Sequence, residues 1–322
     1  MPAKTNDLKS ALVLGCSGQD GLLITESLLK QNYQVVGLSR NKAIENLTIP
    51  SNKLNQKIQI EKGDIKDPTI LKRLIEKFNP NEIYNLAAQS SVGISFKKPR
   101  DTIEGIVNGT LNILEICREL TYEGRIFFAG SGEIFGNTNV GATINNHHQP
   151  INPYSIAKQT SFNLVKIYRE SYNLNCVTGV LFNHESSLRN DNFVTQKIIS
   201  GAIKCLSDQS HILHLGNIDI SRDWGWAPEY IDAIQLITNA PILKDHVICT
   251  GKLTTLESFI EIAFNKLGLD WRKHVKSDKT LFRNSDIKKN YGNPDELFKS
   301  LGWKAKTGVD ELINKLIEAK LN

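Results

Sequence analysis

Short apolar runs alternate with amphipathic stretches through the first half of the chain. The apolar runs are typical of β-strands and lie at residues 11–14, 34–38, 58–60, 82–86, 125–129 and 176–181. The stretches with helical periodicity lie between them, at residues 22–30, 69–78, 106–120 and 155–172. Because strands that alternate with helices form right-handed crossovers, the pattern predicts an α/β fold with a doubly wound parallel sheet.

The pattern loosens after about residue 183. The later segment contains histidines, a tryptophan-rich patch at Trp224 and Trp226, and mixed helices. No proline-rich or low-complexity linker separates the two parts of the sequence. We therefore predict a sheet domain at residues 1–182 and a smaller domain at residues 183–322 that covers the substrate and returns some segments to the sheet.

Composition narrows the class of protein. The five cysteines are scattered and show neither disulfide nor zinc-site spacing, which favours a reducing compartment. The net charge of +5 comes from 39 basic and 34 acidic residues without a basic block, so no nucleic-acid partner is expected. The polar residues 1–10 lead into an apolar run too short for a signal peptide or a membrane span. We expect a soluble cytoplasmic protein.

A glycine-rich turn follows the first predicted strand, in the pattern G-x-x-G-x-x-G at residues 15–21. Such a turn lets the backbone approach a pyrophosphate, and the helix that follows offers unpaired N–H groups at its positive end. An ordinary glycine turn is the alternative, but the position between a strand and a helix favours a dinucleotide site. The candidate contacts here are Gly15, Ser17, Gly18, Gln19 and Asp20.

The ends of the next three predicted strands add cofactor candidates. Arg40 stands where an NAD enzyme usually carries an acid, so it suits the 2′-phosphate of NADP, although a solvated arginine is the alternative. Open α/β sheets bind ligands at the carboxyl ends of their strands, and the small residues there let a nucleotide lie against the backbone. The further candidates are Asp64, Ile65, Leu86, Ala87, Ala88 and Ser90.

Two polar pairs make up the predicted chemical centre. Tyr154 and Lys158 are four residues apart, so they share one face of the predicted helix at residues 155–172. A nearby ammonium should lower the pKa of Tyr154 and make it an acid/base at a carbinol, although a solvated helix face has the same spacing. Ser131 and Glu133 follow the strand at residues 125–129, where Ser131 can bind a substrate hydroxyl and Glu133 adds a second base.

These segments together resemble the extended short-chain dehydrogenase/reductase family. Further motifs resemble the GDP-mannose 4,6-dehydratases within it, namely GQDG (18–21), EIYNLAAQS (82–90), LFNHES (181–186), FVT (193–195) and RDWG (222–225). The resemblance implies an NAD(P)-binding Rossmann fold and a smaller C-terminal substrate-binding domain. It also implies an internal redox cycle on a GDP-hexose: NADP takes hydride from C4, water leaves across C5 and C6, and hydride returns to C6.

The resemblance also implies roles for individual residues. Tyr154 would be the base at the C4 hydroxyl, with Lys158 supporting it and binding the nicotinamide ribose. Glu133 would take the C5 proton and help the C6 hydroxyl to leave, and Ser131 would stand in for the family's threonine. His184 and Arg189 match cofactor contacts, whereas a metal at the His184-Glu185 pair is not expected. The substrate contacts implied are Ser90, Asn183, Lys197 and Arg222.

The chain departs from the family pattern around the predicted sugar pocket. The departures include Leu188, Gln196, Trp226 and Ser91, and residues 40–50 lack an arginine-serine cluster that bridges tetramers in the family. We expect Leu188 and Trp226 to shape an altered pocket, so GDP-N-acetylglucosamine competes with GDP-mannose as the substrate, and neutral drift is the alternative.

Two other functions stay open at this stage. A nucleotide-sugar epimerase or 4-keto reductase needs the Tyr154 and Lys158 pair but no base at Glu133, and a non-catalytic dinucleotide sensor needs none of these side chains. The helices at residues 106–120 and 155–172 resemble a superfamily dimer interface, which implies a homodimer or homotetramer. His147 and His148 are expected in a solvated loop.

Overall fold

The structure is a computed structural model that describes residues 8–40 and 58–321. The strands in this part of the chain are β1 (Ser10–Leu14), β2 (Gln34–Ser39), β3 (Ile58–Lys62), β4 (Glu82–Asn85), β5 (Arg125–Ala129), β6 (Cys176–Leu181), β7 (Asn183–Glu185), β8 (Leu213–Leu215), β9 (Ser221–Arg222), β10 (Trp224–Trp226), β11 (His246–Ile248), β12 (Thr254–Thr255), β13 (Val275–Ser277) and β14 (Lys289–Asn290).

The α-helices of the same residues are α1 (Gln19–Lys30), α2 (Pro68–Phe78), α3 (Val92–Lys97), α4 (Pro99–Ile103), α5 (Gly109–Glu119), α6 (Pro153–Tyr172), α7 (Val194–Ser207), α8 (Ala227–Thr238), α9 (Leu256–Asn265), α10 (Trp271–His274), α11 (Asp295–Leu301) and α12 (Val309–Leu321). A π-helical turn at Glu104–Asn108 precedes α5, and 3-10 turns cover Gly132–Phe135 and Lys279–Leu281. The predicted helix at residues 106–120 therefore begins as a π-turn, which apolar periodicity does not distinguish from an α-helical start.

Seven strands form one parallel sheet in the order β11-β6-β5-β4-β1-β2-β3. This order confirms the predicted doubly wound parallel α/β fold. The order reverses between β1 and β4, and in open sheets the crevice beyond the carboxyl ends of such strands is where ligands bind. The glycine turn follows β1 and Leu86 follows β4, so both predicted segments flank this crevice.

Two helical layers cover the sheet because successive strand residues point to opposite faces. Ala11 and Val13 of β1 pack into one core with α1 and α8, whereas Leu12 and Leu14 pack into the other with α2, α5 and α6. Burial on both faces explains why the sequence of β1 is continuously apolar rather than alternating.

A third core lies in the later part of the chain, between α7, α9 and α12. Two elements of this later part join the large sheet instead: β11 pairs with β6, and α8 packs on the face that α1 covers. The pairing of β7 with β10 brings residues 183–185 beside residues 224–226, and the pairing of β9 with β14 brings residues 221–222 beside residues 289–290.

The five cysteines are buried as free thiols. In residues 8–40 and 58–321, no helix is both long enough and apolar enough to cross a membrane.

Candidate active site

The glycine turn has a backbone that only small residues allow. Gly15 has a φ of +85°, and a Cβ atom there would lie 2.8 Å from the Ala87 backbone. A Cβ atom on Gly21 would lie 2.2 Å from the Gly15 carbonyl oxygen. Gly18 precedes α1, and among the described residues no side chain caps the first turn of this helix. The N–H groups at the start of α1 are therefore available to an anionic group, as a dinucleotide site requires.

The side chains of Gln19 and Asp20 bind the later part of the chain. His184 Nε2 lies 3.0 Å from Asp20 Oδ2, and its Nδ1 lies 2.7 Å from the Phe182 carbonyl oxygen. Gln19 Nε2 donates to the His184 carbonyl oxygen at 3.2 Å, and Ser186 Oγ donates to Gln19 Oε1 at 2.9 Å. These contacts tie the first turn of α1 to β7.

The charges of Asp20 and His184 stabilise each other. Burial alone would raise the pKa of Asp20, but the positive charge and hydrogen bond of His184 outweigh it and lower the pKa to about 2. Burial would likewise lower the pKa of His184, and the Asp20 carboxylate instead raises it. These side chains are engaged internally, and the cofactor contact of residues 19 and 20 stays a prediction.

The remaining cofactor candidates lie at the carboxyl ends of β2, β3 and β4. Ser17 Oγ lies 2.9 Å from Ser39 Oγ, which joins the glycine turn to the end of β2. Arg40 is exposed directly after β2, and residues 41–50 of the predicted subunit-bridging segment lie outside the described residues. Asp64 accepts a hydrogen bond from the Lys66 N–H at 3.0 Å. Ile65 is buried, Ser90 is exposed, and the half-buried residues after β4 are Leu86, Ala87 and Ala88.

Tyr154 and Lys158 project from the first two turns of α6. Asn152 caps this helix and Pro153 is its first residue, so the start of α6 is well defined. Lys158 Nζ donates to the Ala129 carbonyl oxygen at 2.7 Å and lies 5.9 Å from the centre of the Tyr154 ring. Burial lowers the pKa of Lys158 to about 8.

The expected lowering of the Tyr154 pKa is wrong for the protein as it stands. Burial raises this pKa to about 12, and the Glu133 charge raises it too, against the opposing effect of a hydrogen bond with Ser131. Only 7% of Tyr154 is exposed, so loss of hydration outweighs the charges around the ring. Tyr154 is therefore a neutral phenol before any ligand enters.

Glu133 lies in the 3-10 turn that follows β5. Ser131 caps this turn by accepting the Glu133 N–H at 3.3 Å. Asn152 Nδ2 donates to Glu133 Oε2 at 3.0 Å, and Asn290 Nδ2 donates to the carbonyl oxygens at both ends of the turn, Gly132 at 3.0 Å and Gly136 at 2.9 Å. The four predicted catalytic residues thus meet at the carboxyl end of β5, two on this turn and two on α6.

Two arginines from the later part of the chain act on this site. The charge of Arg189 acts on both Tyr154 and Asp20, and its guanidinium lies 3.7 Å from the centre of the Phe193 ring. Arg222 is buried and donates to the Ile287 carbonyl oxygen at 2.7 Å. Burial lowers the pKa of Arg222, and the Glu133 charge opposes this shift.

The predicted substrate contacts Asn183 and Lys197 lie on β7 and α7. Asn183 is half-buried at the start of β7, and Lys197 is exposed in the first turns of α7. The hypothesis that Trp226 shapes the sugar pocket has no support in its packing. Its ring packs with the third core and lies 5.7 Å from Lys315 Nζ. Leu188 remains 45% exposed.

Sequence reasoning missed the two asparagines that hold the Glu133 turn. Asn152 precedes the predicted helix at residues 155–172 without being a predicted site residue, and no local signal marks Asn290. The expected solvated loop at residues 147 and 148 is correct for His147, which is exposed, and wrong for His148. The His148 ring packs edge-on between Phe135 and Phe162, at 5.3 and 5.2 Å between ring centres, because these rings offer an apolar slot beside the Glu133 turn.

Comparison with known proteins decides the family. A family model described as GDP-mannose 4,6 dehydratase matches residues 12–316. The chain belongs to the GDP-mannose 4,6-dehydratase family. GDP-mannose 4,6 dehydratase 1 of Arabidopsis thaliana is 34% identical over 324 residues, which cover 97% of this chain and 90% of the plant protein. GDP-mannose 4,6-dehydratase of Sinorhizobium fredii is 32% identical over 342 residues, covering 98% and 97% of the two chains. The predicted family is confirmed.

Solved structures share the fold at lower identity. The dTDP-glucose 4,6-dehydratase of Bacillus anthracis, solved with NAD, has a TM-score of 0.84 at 17% identity and covers 97% of this chain and 96% of its own. The UDP-glucose 4-epimerase of Thermotoga maritima, solved with UDP-glucose, has a TM-score of 0.84 at 21% identity, covering 97% and 98% of the two chains. A dehydratase and an epimerase match equally well, so the fold alone does not separate these two activities.

Proposed function

We propose that the protein is a GDP-hexose 4,6-dehydratase, a hydro-lyase that uses a bound nicotinamide dinucleotide. The observation that carries the proposal is Glu133, a carboxylate on the turn capped by Ser131, beside Tyr154 and Lys158. A second base at this place is what an elimination needs and what an epimerase or a 4-keto reductase lacks. Family membership supplies the GDP-hexose as the substrate class.

The residues of the crevice fit a dinucleotide. The glycine turn and the uncapped start of α1 suit a pyrophosphate, and Arg40 at the end of β2 suits the 2′-phosphate of NADP. When bound, the nicotinamide accepts hydride from C4 of the sugar and returns it to C6. NADP rather than NAD is part of the proposal, and a comparison of the affinities of the Arg40→Ala variant for the two cofactors tests it.

The protein's own side chains move the protons. Tyr154, once its own phenol proton has been released, takes the proton of the C4 hydroxyl as that carbon becomes a ketone, and Lys158 and Ser131 hold the phenol and the sugar oxygen in place. Glu133 takes the C5 proton and delivers it to the departing C6 hydroxyl, which leaves as water. C5 would then take up one proton, in place of the one lost from O4, as the hydride returned to C6. The net change is the loss of one water, with no net oxidation.

The test is incubation of the purified protein with GDP-mannose and, separately, with GDP-N-acetylglucosamine. Mass spectrometry of the nucleotide sugar should show the loss of one water from one of them. The Glu133→Gln variant should lose this activity by roughly 100-fold or more, the usual range for a positioned base. If neither sugar is dehydrated, or if the variant keeps full turnover, the proposal is wrong.

We also propose that two copies pair through α5 and α6. Apolar side chains of α6 are open to solvent in the single chain, among them Ile156, Ile167 and Tyr172 at 47%, 51% and 50% exposure. A dimer would cover such a surface. Light scattering on the wild-type protein and an Ile167→Glu variant tests this, since the variant should shift the mass towards the monomer.

A further inference from the structure

We propose that Asn152 is the positioning residue for Glu133, through the hydrogen bond from its Nδ2 to Glu133 Oε2. The inference rests on the proposed function, in which Glu133 is the base of the elimination. The bond is 3.0 Å long, and Asn152 is only 3% exposed. The residue that caps α6 thus touches the group that, in the proposed function, distinguishes a dehydratase from an epimerase.

The orientation of the Asn152 amide is fixed by its neighbours. Its Oδ1 accepts the Ser155 N–H at 2.8 Å, which is the capping bond of α6. A carboxamide turned by 180° would place two N–H groups against each other at Ser155 and two oxygens against each other at Glu133. The Ser155 N–H therefore forces Oδ1 towards the helix and Nδ2 towards the carboxylate.

This arrangement restricts the orientation of the Glu133 carboxylate. With Oε2 bonded to Asn152, Oε1 is assigned in this proposal as the oxygen that takes a proton from the sugar. Asn152 also sits two residues before Tyr154, so the same side chain sets the distance between the two bases. Reacting groups need such registration, because small misplacements cost large factors in rate.

The backbone and the side chain of Glu133 are held separately. Asn290 binds the carbonyl oxygens at both ends of the turn, so it fixes the main chain, whereas Asn152 fixes the carboxylate. Capping alone does not require an asparagine, because serine and aspartate cap helices about equally well. The amide donor is the part of Asn152 that the helix does not use, and Glu133 is its partner.

The test compares variants that keep the helix cap and lose the amide donor to Glu133 with a variant that weakens the helix start and keeps the donor. Asn152→Ser and Asn152→Asp both keep a good cap for α6 and lose the amide donor. Ser155→Ala is the matched control, since it removes the Ser155 hydroxyl bonds to the backbone of residues 151 and 152 and leaves the Glu133 contact in place. Each variant is assayed with unlabelled sugar and with sugar deuterated at C4 or at C5.

Loss of the amide donor should slow proton removal from C5 and leave hydride removal from C4 unaffected. Asn152→Ser should lower kcat about 10- to 100-fold at little change in KM, the range for a lost hydrogen bond to a charged group. Its isotope effect at C5 should rise and that at C4 should fall, because proton removal from C5 becomes the slow step. Asn152→Asp should lower kcat further, since it places a second carboxylate next to that of Glu133. Ser155→Ala should lower the melting temperature but keep both isotope effects.

Three outcomes separate the possibilities. If Asn152→Ser and Asn152→Asp keep the wild-type kcat and C5 isotope effect, the inference is overturned. If Ser155→Ala shows the same kinetic losses as Asn152→Ser, Asn152 acts only as a cap and the inference is again overturned. If the wild-type protein dehydrates no GDP-hexose, it is the proposed function that fails.

Discussion

Replacement of Lys158 by methionine should abolish turnover and yet remove a pH-dependent loss of folding stability. Burial lowers the pKa of Lys158 from 10.5 to about 8, and only 8% of the residue is exposed. Each pKa unit is worth about 1.4 kcal/mol, so the charged lysine costs the fold about 3 kcal/mol at neutral pH. Methionine has a similar length and no charge to bury.

The sign of the effect follows from proton binding. Between about pH 8 and pH 10.5 the unfolded chain holds a proton on Lys158 that the folded chain has released. The free energy of unfolding of the wild type therefore gains about 3 kcal/mol from this residue across the window, and the gain is lost as the pH falls through about 8. The variant lacks this gain. The lost hydrogen bond to the Ala129 carbonyl oxygen changes the unfolding free energy of the variant by the same amount at every pH.

The assay is urea unfolding of both proteins, without cofactor, at about pH 7 and about pH 10.5. The difference in unfolding free energy between wild type and Lys158→Met should change by about 3 kcal/mol between these pH values. Lys166→Met is the matched control, because Lys166 lies exposed on the same helix, and this variant should not reproduce the change of about 3 kcal/mol. A pH-independent difference for Lys158→Met would refute the assignment of a destabilised ammonium at this site.

Two further predictions concern the contacts that join the two parts of the chain. Asp20→Asn should lower the unfolding free energy by about 2 kcal/mol above about pH 4, since the Asp20 pKa is 3.8 unfolded and about 2 folded. Urea unfolding should show this loss vanish as the pH falls towards 2; equal losses at both pH values would contradict it. Asn290→Ala leaves two carbonyl oxygens of the Glu133 turn without their amide donor, so about 2–4 kcal/mol of stability and most of the turnover should go. Unchanged turnover would contradict this, because it would mean that the Glu133 turn keeps its conformation without Asn290.

The local parts of the site could be predicted because sequence and geometry are linked over a few residues. A strand, a glycine turn and a helix in succession define the start of α1, and a spacing of four residues puts Tyr154 and Lys158 on one face of α6. The alternation of apolar strands with helices predicted a doubly wound parallel sheet, which the strand order and the two cores beside β1 confirm.

The rest depended on contacts between distant residues. Asp20 was placed in the correct turn, but its ion pair with His184 spans 164 positions and has no local pattern. The pKa of Tyr154 was predicted in the wrong direction because the neighbouring ammonium is visible in the sequence, whereas the depth of burial is not. The slot that holds His148 is likewise formed by two rings brought together only by folding.

The hydrogen bonds from Asn290 to the Glu133 turn affect the order in which parts of the protein fold during synthesis. Asn290 and Gly132 are 158 positions apart, whereas the glycine turn and α1 are contiguous in the sequence, at residues 15–30. A chain that leaves the ribosome therefore cannot hold the Glu133 turn through Asn290 until residue 290 has been synthesised. Under the proposed function, the carboxylate of the elimination is therefore a part of the site that is fixed late in synthesis.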